Sequence, residues 1–330
     1  MNPSEASAKM PILETRGIKK YFPVTQGLLF SRTTGWVKAV DGVDFTVNPG
    51  ETLGLVGESG CGKTTIARLL LLLESLTEGS ILFQGNDLSA FTRQDLALYR
   101  KSVQAVFQNP FSSLDPRMQV GNIISEPLLV NRTLSRKEIR EKVGTALEIV
   151  GLDPNHARAY PHEFSGGQRQ RIAIARALTC GPKLIILDEP VSAQDVSIRA
   201  QLLNLLKDLQ KKLGLSFLFI VHDLATVRYM SHHIIVMYLG RIVERGPTEQ
   251  VITKPLHPYT QALLSASLPD KPDSERAKNV LPGEVPSPLD PPSGCRFHTR
   301  CPQAQPACSE QSPVQKQVEP GHSVACILYG

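Results

Sequence analysis

Hydrophobic and polar residues alternate over residues 12–22 and 37–47, and both stretches are rich in β-branched side chains. This pattern predicts two half-buried strands near the N-terminus. Apolar runs typical of buried strands occupy residues 51–56, 80–84, 103–107, 183–187 and 215–221. Residues 66–74 and roughly 118–179 have a helical pattern instead. Because strands and helices alternate, the sequence predicts an α/β fold with a mostly parallel sheet.

Two features stand out in the last third of the chain. Residues 233–245 have the pattern of a hairpin that turns at Leu239 and Gly240. After about Asp270 the composition changes, and residues 270–294 contain many prolines and few apolar residues. This stretch predicts a linker or an extended arm.

Composition and charge exclude several classes of protein. The chain is 41% hydrophobic and 20% charged, with a net charge of +5 that is too small to indicate nucleic acid as a partner. Its longest apolar runs, residues 69–73 and 215–221, fall well short of a membrane helix. The first residues, MNPSEASAKMPILE, lack an apolar signal region. We therefore expect a cytosolic protein whose membrane role, if it has one, depends on a partner.

A phosphate-binding loop follows the apolar strand at residues 51–56. The segment GESGCGKT, from Gly57 to Thr64, fits the pattern GxxxxGK[ST] and precedes a helical pattern. Glycines let backbone N–H groups curl around phosphates, and the helix N-terminus adds positive potential. The residues predicted to bind ATP here are Gly57, Glu58, Ser59, Gly60, Cys61, Gly62, Lys63, Thr64 and Thr65. Cys61 is interpreted as a filler of the loop, with a redox role as the alternative.

Two carboxylates end another apolar strand. Asp188 and Glu189 follow the run LIIL. A carboxylate in this place can hold Mg²⁺ through water, and the next one can polarise the attacking water. A strand that merely ends in acidic residues is the alternative, and the phosphate loop makes the catalytic interpretation the stronger one.

A second glycine-rich turn opens another helix about a hundred residues after the phosphate loop. It consists of Phe164, Ser165, Gly166, Gly167 and Gln168. Ser165 can cap the helix that begins at Gly166, and the N–H groups there form an anion site. The order and spacing of these motifs over about residues 12–270 resemble the ABC ATPases. The resemblance implies that two subunits sandwich two ATP molecules head to tail, each subunit lending this signature turn to its partner's site.

The resemblance also assigns roles to single residues. It implies that Gln108 is a ligand of metal or water and a hinge, and that His222 contacts the γ-phosphate. Phe22 matches the aromatic residue that stacks on adenine, with Tyr21 as the competing choice. The Mg²⁺ ligands implied are Thr64, Gln108 and Asp188.

The chain departs from the family in its D-loop. This loop contains Ser192 and Asp195, but Gln194 stands where the family usually has leucine. We expect the amide to change packing at the dimer seam and not to affect ATP binding. Phe164 in place of the usual leucine is a milder apolar change.

The fold implied by the resemblance is a P-loop NTPase of the ABC ATPase type. It comprises a mostly parallel sheet core, an N-terminal antiparallel β subdomain and an inserted helical subdomain at about residues 109–180. The expected domains are an ATPase domain at residues 12–270 and an irregular, cysteine-containing extension at residues 271–330.

Residues 112–126, 255–263 and 281–294 narrow the resemblance to ATP-binding subunits of bacterial dipeptide and oligopeptide importers, above all the dipeptide type. This implies a peripheral subunit on the cytoplasmic face of the inner membrane. Its partners would be a second, different ATP-binding subunit, two permeases and, indirectly, a substrate-binding protein. The alternatives are uptake of nickel, opines, sugars or antimicrobial peptides, a soluble ABC ATPase acting on DNA or ribosomes, and a non-catalytic regulatory subunit.

Four cysteines crowd the end of the chain: Cys295, Cys301, Cys308 and Cys326. Structural zinc sites usually use more closely spaced pairs, and four cysteines from one irregular segment can hold a [4Fe–4S] cluster. The importer resemblance implies the same cluster. We therefore expect an iron–sulfur centre, with zinc or no metal as the alternatives.

Overall fold

The computed structural model describes residues 10–26, 32–108, 114–129, 134–192, 194–267 and 283–330. The strands are β1 Leu13–Gln26, β2 Arg32–Val47, β3 Thr52–Val56, β4 Glu78–Phe83, β5 Asn86–Asp87, β6 Val103–Val106, β7 Leu184–Asp188, β8 Ser216–Val221, β9 His233–Tyr238, β10 Arg241–Pro247, β11 Lys316–Glu319 and β12 His322–Val324. The helices are α1 Lys63–Leu70, α2 Arg93–Ser102, α3 Val120–Leu129, α4 Arg136–Ile149, α5 Gly166–Leu178, α6 Val196–Leu213, α7 Leu224–Met230, α8 Thr248–Thr253, α9 Pro258–Ser267 and α10 Ala307–Glu310.

Parts of the predicted regions lie outside the described residues. These parts are residues 27–31, 193 and 268–270 of the predicted ATPase domain, residues 109–113 and 130–133 of its helical subdomain, and residues 270–282 of the predicted linker and extension. Within the described part of the subdomain, α3, α4 and α5 confirm the helical pattern. None of the helices in the described ranges is long and apolar enough to cross a bilayer.

The chain divides into two compact units, of which the first contains residues 48–51 and 90–218. In this unit β6 and β7 pair in parallel, with Val103 opposite Leu184 and Val106 opposite Leu187. All five residues of β7 are buried, as its continuous apolar run predicts for a strand of a parallel sheet. The parallel pairing brings the carboxyl ends of β6 and β7 to the same edge.

The second unit contains residues 13–47, 52–89 and 219–330. It includes an antiparallel sheet of order β2-β1-β4-β5. It also includes β3, which pairs in parallel with β9, and the hairpin of β9 and β10. The hairpin turns at Leu239 and Gly240, whose φ angles are 42° and 79°, so the turn predicted from the sequence is confirmed. The α/β fold with an N-terminal antiparallel sheet is confirmed as well.

The extension adds strands that the sequence analysis did not predict. Strand β12 pairs with β10, with Val324 opposite Glu244, and β11 pairs with β12. Both strands are short, and β11 is largely exposed, which left their hydrophobic pattern too weak to recognise. The extension is thus joined to the hairpin by backbone hydrogen bonds in the second unit.

A buried carboxylate fixes this junction. Glu244 is fully buried and accepts the backbone N–H of Leu256 at 2.8 Å and of His257 at 2.9 Å. The Nε2 atom of His322, also fully buried, lies 2.7 Å from a Glu244 oxygen. A buried carboxylate is tolerated only when its oxygens have such partners. Glu244 therefore links β10, the segment before α9, and β12.

His257 beside this carboxylate should make stability depend on pH. Burial lowers the pKa of His257 to about 4, although the Glu244 charge opposes the shift. The unfolded chain then binds more protons between about pH 6.5 and pH 4. The free energy of unfolding should therefore decrease as the pH is lowered from about 6.5 to about 4, by up to about 3 kcal/mol.

The variant His257→Asn lacks this titration, while its amide oxygen can still accept the Tyr259 N–H that His257 Nδ1 accepts at 3.1 Å. Urea unfolding at pH 7.5 and pH 5 should show a smaller pH dependence for this variant than for the natural chain. His162→Asn, at an exposed histidine, serves as the control. An unchanged pH dependence in His257→Asn would contradict the assignment.

Candidate functional site

The phosphate loop needs glycine at two positions because of close backbone approaches. A Cβ atom at Gly57 would lie 2.3 Å from the carbonyl oxygen of Met237. A Cβ atom at Gly62 would lie 2.2 Å from the carbonyl oxygen of Ala39, and Gly62 also has a φ of 107°. Helix α1 begins at the next residue, Lys63. The loop therefore has the bare backbone and the helix start that phosphate binding requires.

The lysine of the motif folds back onto its own loop. Lys63 is 6% exposed, and its Nζ atom donates to the carbonyl oxygens of Gly57 at 2.7 Å and Glu58 at 3.0 Å. These carbonyls hold the ammonium where phosphate oxygens could replace them as acceptors. Thr64 is exposed and Thr65 is half-buried, so both hydroxyl-bearing residues lie near the surface of the loop.

Cys61 is a packed residue of this loop. Its side chain is buried, and burial raises the pKa of its thiol despite the nearby Lys63 ammonium. A raised pKa disfavours the thiolate, which is the reactive form of cysteine. This environment agrees with the interpretation of Cys61 as a filler rather than a redox group.

The structure brings together Gln108 and Glu189, which lie at the carboxyl ends of β6 and β7. The Nε2 atom of Gln108 donates to Oε2 of Glu189 at 2.8 Å. Asp188, the last residue of β7, is 6% exposed. The predicted metal ligand, the predicted base and the predicted hinge glutamine thus share one edge of the first unit.

Glu189 has an unusual backbone conformation. Its φ angle is 50°, in the left-handed region, which costs a residue with a side chain of order 1–3 kcal/mol. Its carbonyl oxygen accepts the N–H of Ser192 at 3.4 Å and the hydroxyl of Ser192 at 3.1 Å. The D-loop serine therefore holds the turn that directs Glu189.

The signature turn is a capping box. The Oγ atom of Ser165 accepts the N–H of Gln168 at 3.3 Å, and the Gln168 side chain accepts the N–H of Ser165 at 3.0 Å. A Cβ atom at Gly167 would lie 2.6 Å from the Ile198 side chain of α6, so this position must be glycine. The sequence prediction that Ser165 caps the helix is confirmed.

The unusual D-loop amide packs on this turn. A Cβ atom at Gly166 would lie 3.3 Å from Oε1 of Gln194, so the amide is in contact range of the first helical residue. Asp195 precedes α6 and makes no side-chain cap bond to it. Phe164 is buried against the ring of His156, with 5.2 Å between the ring centroids.

Phe22 and Tyr21 lie next to each other on β1, and their side chains point to opposite faces. The Tyr21 hydroxyl donates to Asp41, and burial raises the Tyr21 pKa to about 12. Phe22 is half-buried, with Lys20 Nζ 4.9 Å from its ring centroid. Because Tyr21 is engaged with Asp41, the geometry favours Phe22 as the adenine-stacking candidate.

His222 follows β8 and is exposed. The next residue, Asp223, caps α7 by accepting the N–H groups of Ala225 and Thr226, each at 3.1 Å. The strand end and the capped helix fix the backbone on both sides of His222.

The predicted cysteine centre requires correction. Among the described residues, no group of three or more His, Cys, Asp or Glu side chains is placed to hold a metal ion. The prediction of metal binding, as a [4Fe–4S] cluster or as zinc, at Cys295, Cys301, Cys308 and Cys326 is therefore not upheld.

The four thiols differ in their surroundings. Burial raises the pKa of Cys295 to about 11 and also raises the pKa of Cys301 and Cys326. The sulfur of Cys308 accepts the N–H of Gln305 at 3.4 Å. The sequence supplies four sulfur atoms within 32 residues, but its spacing does not place them in one coordination sphere.

The chemistry of the three predicted Mg²⁺ ligands fits this cation. The predicted ligands are the Thr64 hydroxyl, the Gln108 amide oxygen and the Asp188 carboxylate, which are the hard oxygen donors that Mg²⁺ prefers. The Gln108 bond to Glu189 uses its nitrogen, so the oxygen is the atom of that side chain suited to a cation.

Comparison with known proteins agrees with this geometry. The ABC transporter family profile matches residues 40–192, and the profile for the oligopeptide/dipeptide transporter C-terminal region matches residues 243–308. The oligopeptide transport ATP-binding protein AppF of Bacillus subtilis is 53% identical over 98% of this chain and 99% of its own length. The chain belongs to the ABC transporter ATP-binding proteins. ABC ATPases of this family couple ATP hydrolysis to transport.

Two further similarities extend over most of this ABC ATPase. The dipeptide transport ATP-binding protein DppF of Escherichia coli K12 is 49% identical over 99% of this chain and 97% of its own length. A solved dimeric structure of the ATP-binding cassette MJ0796, bound to ADP and Pi, covers 72% of this chain and 98% of its own, with 25% identity and a TM-score of 0.62. The resemblance to ABC ATPases inferred from the motifs is confirmed.

Two contacts to the phosphate loop had no local signature in the sequence. The hydroxyl of Tyr259 accepts the N–H of Glu58 at 2.8 Å, and Arg300 forms two hydrogen bonds with the Glu58 carboxylate. The partners are 201 and 242 residues apart, so no periodicity or spacing motif could reveal them.

Replacing Glu189 by glutamine should separate ATP binding from hydrolysis. Glutamine keeps the shape of the side chain but cannot accept a proton, so turnover should fall by about a hundredfold or more, while ATP still binds. The measurement is ATPase activity beside equilibrium ATP binding. Glu148→Gln, at an exposed carboxylate of α4, should retain both. Turnover close to that of the natural chain in Glu189→Gln, with the partner's site also inactivated, would reject Glu189 as the base.

Proposed function

We propose that this ABC ATPase is the ATP-hydrolysing motor subunit of a peptide importer of the dipeptide type. The observation that carries the proposal is the match of residues 243–308 to the oligopeptide/dipeptide C-terminal region, together with full-length relatives named for peptide transport. We also propose residues 12–270 as the ATPase domain and residues 271–330 as the importer-type extension.

Each nucleotide-site residue has a proposed role that follows from its chemistry. Lys63 binds the β- and γ-phosphates by transferring its hydrogen bonds from loop carbonyls to phosphate oxygens. Thr64, Gln108 and Asp188 supply oxygens for Mg²⁺, which neutralises phosphate charge when bound. Phe22 stacks on the adenine ring.

Hydrolysis requires a base, and we assign it to Glu189. Its carboxylate would accept a proton from the attacking water as the water oxygen bonds to the γ-phosphorus and the bond from that phosphorus to the β,γ-bridging oxygen breaks, which gives ADP and inorganic phosphate. Gln108 bonds the same carboxylate at 2.8 Å and so fixes its direction. His222 is proposed to contact the γ-phosphate and to report its presence.

The partner of this subunit supplies the rest of the composite site. We propose a head-to-tail dimer with a second, different ATP-binding subunit, in which Ser165, Gly166 and Gly167 bind the γ-phosphate held by the partner. The dimer of the related cassette bound to ADP and Pi supports this arrangement. Ser192 and Asp195 of the D-loop would lie at the seam between the subunits.

The location follows from these partners. Two permease subunits would span the membrane, and a substrate-binding protein would deliver the peptide to them. The ATPase would then act as a peripheral protein on the cytoplasmic face of the inner membrane.

Peptide specificity can be tested on the assembled transporter. With its partner ATPase, permeases and binding protein in proteoliposomes, ATP hydrolysis should rise several-fold when a dipeptide is added. The matched control is the mixture of the two free amino acids. Stimulation by nickel complexes or sugars, and none by dipeptides, would reject the peptide assignment and leave the ATPase assignment intact.

Ser165→Ala tests the composite site. In a Glu189→Gln background, the remaining turnover belongs to the site built on the partner's phosphate loop. Ser165→Ala should abolish that remainder, because the Ser165 hydroxyl no longer helps to bind the γ-phosphate there. Hydrolysis of radiolabelled ATP by the assembled transporter is the measurement.

The matched control is Ser135→Ala. Ser135 forms the same capping box at the start of α4, with its Oγ accepting the N–H of Glu138 at 3.3 Å. Loss of either cap should cost about 1 kcal/mol of stability. Equal loss of turnover in both variants would show that Ser165 acts only through stability.

A further inference from the structure

Glu58, the second residue of the phosphate loop, forms hydrogen bonds through three of its groups at once: its N–H, its carbonyl oxygen and its carboxylate. Its carbonyl oxygen accepts Lys63 Nζ at 3.0 Å, and its N–H donates to the Tyr259 hydroxyl at 2.8 Å. Its carboxylate accepts Nη1 of Arg300 at 2.7 Å and Nη2 at 3.2 Å. One loop residue therefore joins the phosphate-binding lysine to two residues from beyond residue 250.

The Arg300 contact is strong because it is bidentate and sheltered. Arg300 is 7% exposed, whereas the Glu58 side chain is 26% exposed. Two parallel N–H···O bonds from one guanidinium fix the carboxylate in direction as well as position. A pair with this geometry contributes more than an exposed ion pair, which is worth little.

Aromatic packing keeps Arg300 and Tyr259 in place. The guanidinium carbon of Arg300 lies 5.9 Å from the ring centroid of Tyr238. The Tyr238 ring contacts those of Tyr259 and Phe297, with centroid distances of 4.8 Å and 5.2 Å. Phe297 precedes the single turn of residues 298–300 that carries Arg300. These buried rings leave Arg300 and Tyr259 little freedom, so both contacts to Glu58 are preorganised.

These contacts do not compete with phosphate. The N–H groups that bind phosphates lie nearer the start of the helix. The Tyr259 hydroxyl instead accepts the N–H of Glu58, near the beginning of the loop. When phosphate oxygens draw Lys63 away from the Glu58 carbonyl, the other two contacts still hold Glu58.

We infer that Arg300 and Tyr259 are positioning residues for ATP binding, through which the C-terminal part of the chain holds the phosphate loop in its binding shape by way of Glu58. This inference rests on the proposed role of the loop as the ATP site. We expect each residue to act through Glu58, the loop residue that it contacts, and not through the nucleotide.

The test measures ATP binding to the full-length chain by titration calorimetry with MgATP. Arg300→Gln should weaken binding about tenfold, which corresponds to about 1.4 kcal/mol. Arg300→Lys should have a smaller effect, because the ammonium keeps the charge although it lacks the planar fork that makes two parallel bonds. Tyr259→Phe, which removes a single hydroxyl, should weaken binding about threefold.

The matched control is Glu319→Gln, which removes an ion pair of the extension with Lys254, 3.4 Å long, that does not touch the loop. This variant should bind ATP like the natural chain. In the assembled transporter, Arg300→Gln should raise the KM for ATP by more than it lowers kcat. A purely structural role would reduce the amount of active protein and leave KM unchanged.

Lys63→Ala distinguishes this inference from the proposed function. If Lys63→Ala abolishes ATP binding while Arg300→Gln and Tyr259→Phe bind normally, only the inference is overturned. If Lys63→Ala binds ATP normally, the proposed role of the loop and the inference both fall. Equal weakening in Glu319→Gln would also overturn the inference. Should Arg300→Gln fail to fold, Arg300→Lys and Tyr259→Phe give the same decision.

Discussion

The phosphate loop depends on two close approaches between its glycines and the backbone of neighbouring segments, at distances that leave no room for a side chain. Gly57 approaches the carbonyl of Met237 and Gly62 approaches that of Ala39, so that even a methyl group would overlap an oxygen at both places. The loop can then present N–H groups at the start of α1 instead of side chains. Lys63 does contribute a side chain, and its ammonium donates hydrogen bonds to the carbonyl oxygens of Gly57 and Glu58 in the same loop. In the proposed role of Lys63, binding of phosphate would therefore exchange one set of acceptors for another and would not bury an unpaired charge.

A second constraint is the pairing of three carboxylates in the second unit. Asp41, Glu58 and Glu244 each meet a basic or imidazole group from the end of the chain, namely Arg296, Arg300 and His322. Asp41 also receives two hydrogen bonds from Arg241. Removal of one member would leave its partner poorly compensated in a place with little water, which costs far more than the loss of a surface pair. These pairs tie the extension to the antiparallel sheet, to the phosphate loop and to the hairpin.

What the sequence could predict was local. The phosphate loop, the cap formed by Ser165, the acidic end of β7 and the turn at Gly240 depend on residues within a few positions of each other, and these features are confirmed. The pairs of Asp41 with Arg296 and of Glu58 with Arg300 join residues more than 200 positions apart. Charge alone does not choose among the 36 basic residues of the chain, so these pairs could not be predicted. The prediction of a metal centre at the cysteines is not upheld for a related reason. Spacing along the chain gives the number of possible ligands but does not determine where their sulfur atoms lie.

This ATPase combines local motifs that are common to ABC ATPases with a contact between one loop residue, Glu58, and a distant part of the chain. The motifs common to ABC ATPases can be recognised because the residues of each motif lie within a few positions of one another in the sequence. Glu58 occupies one of the variable positions of the loop pattern, so its side chain is not dictated by phosphate binding. It is instead in contact with a part of the chain that matches the oligopeptide/dipeptide C-terminal region. A variable position in a common loop is where a family-specific segment can reach the nucleotide site without altering the groups that bind phosphate.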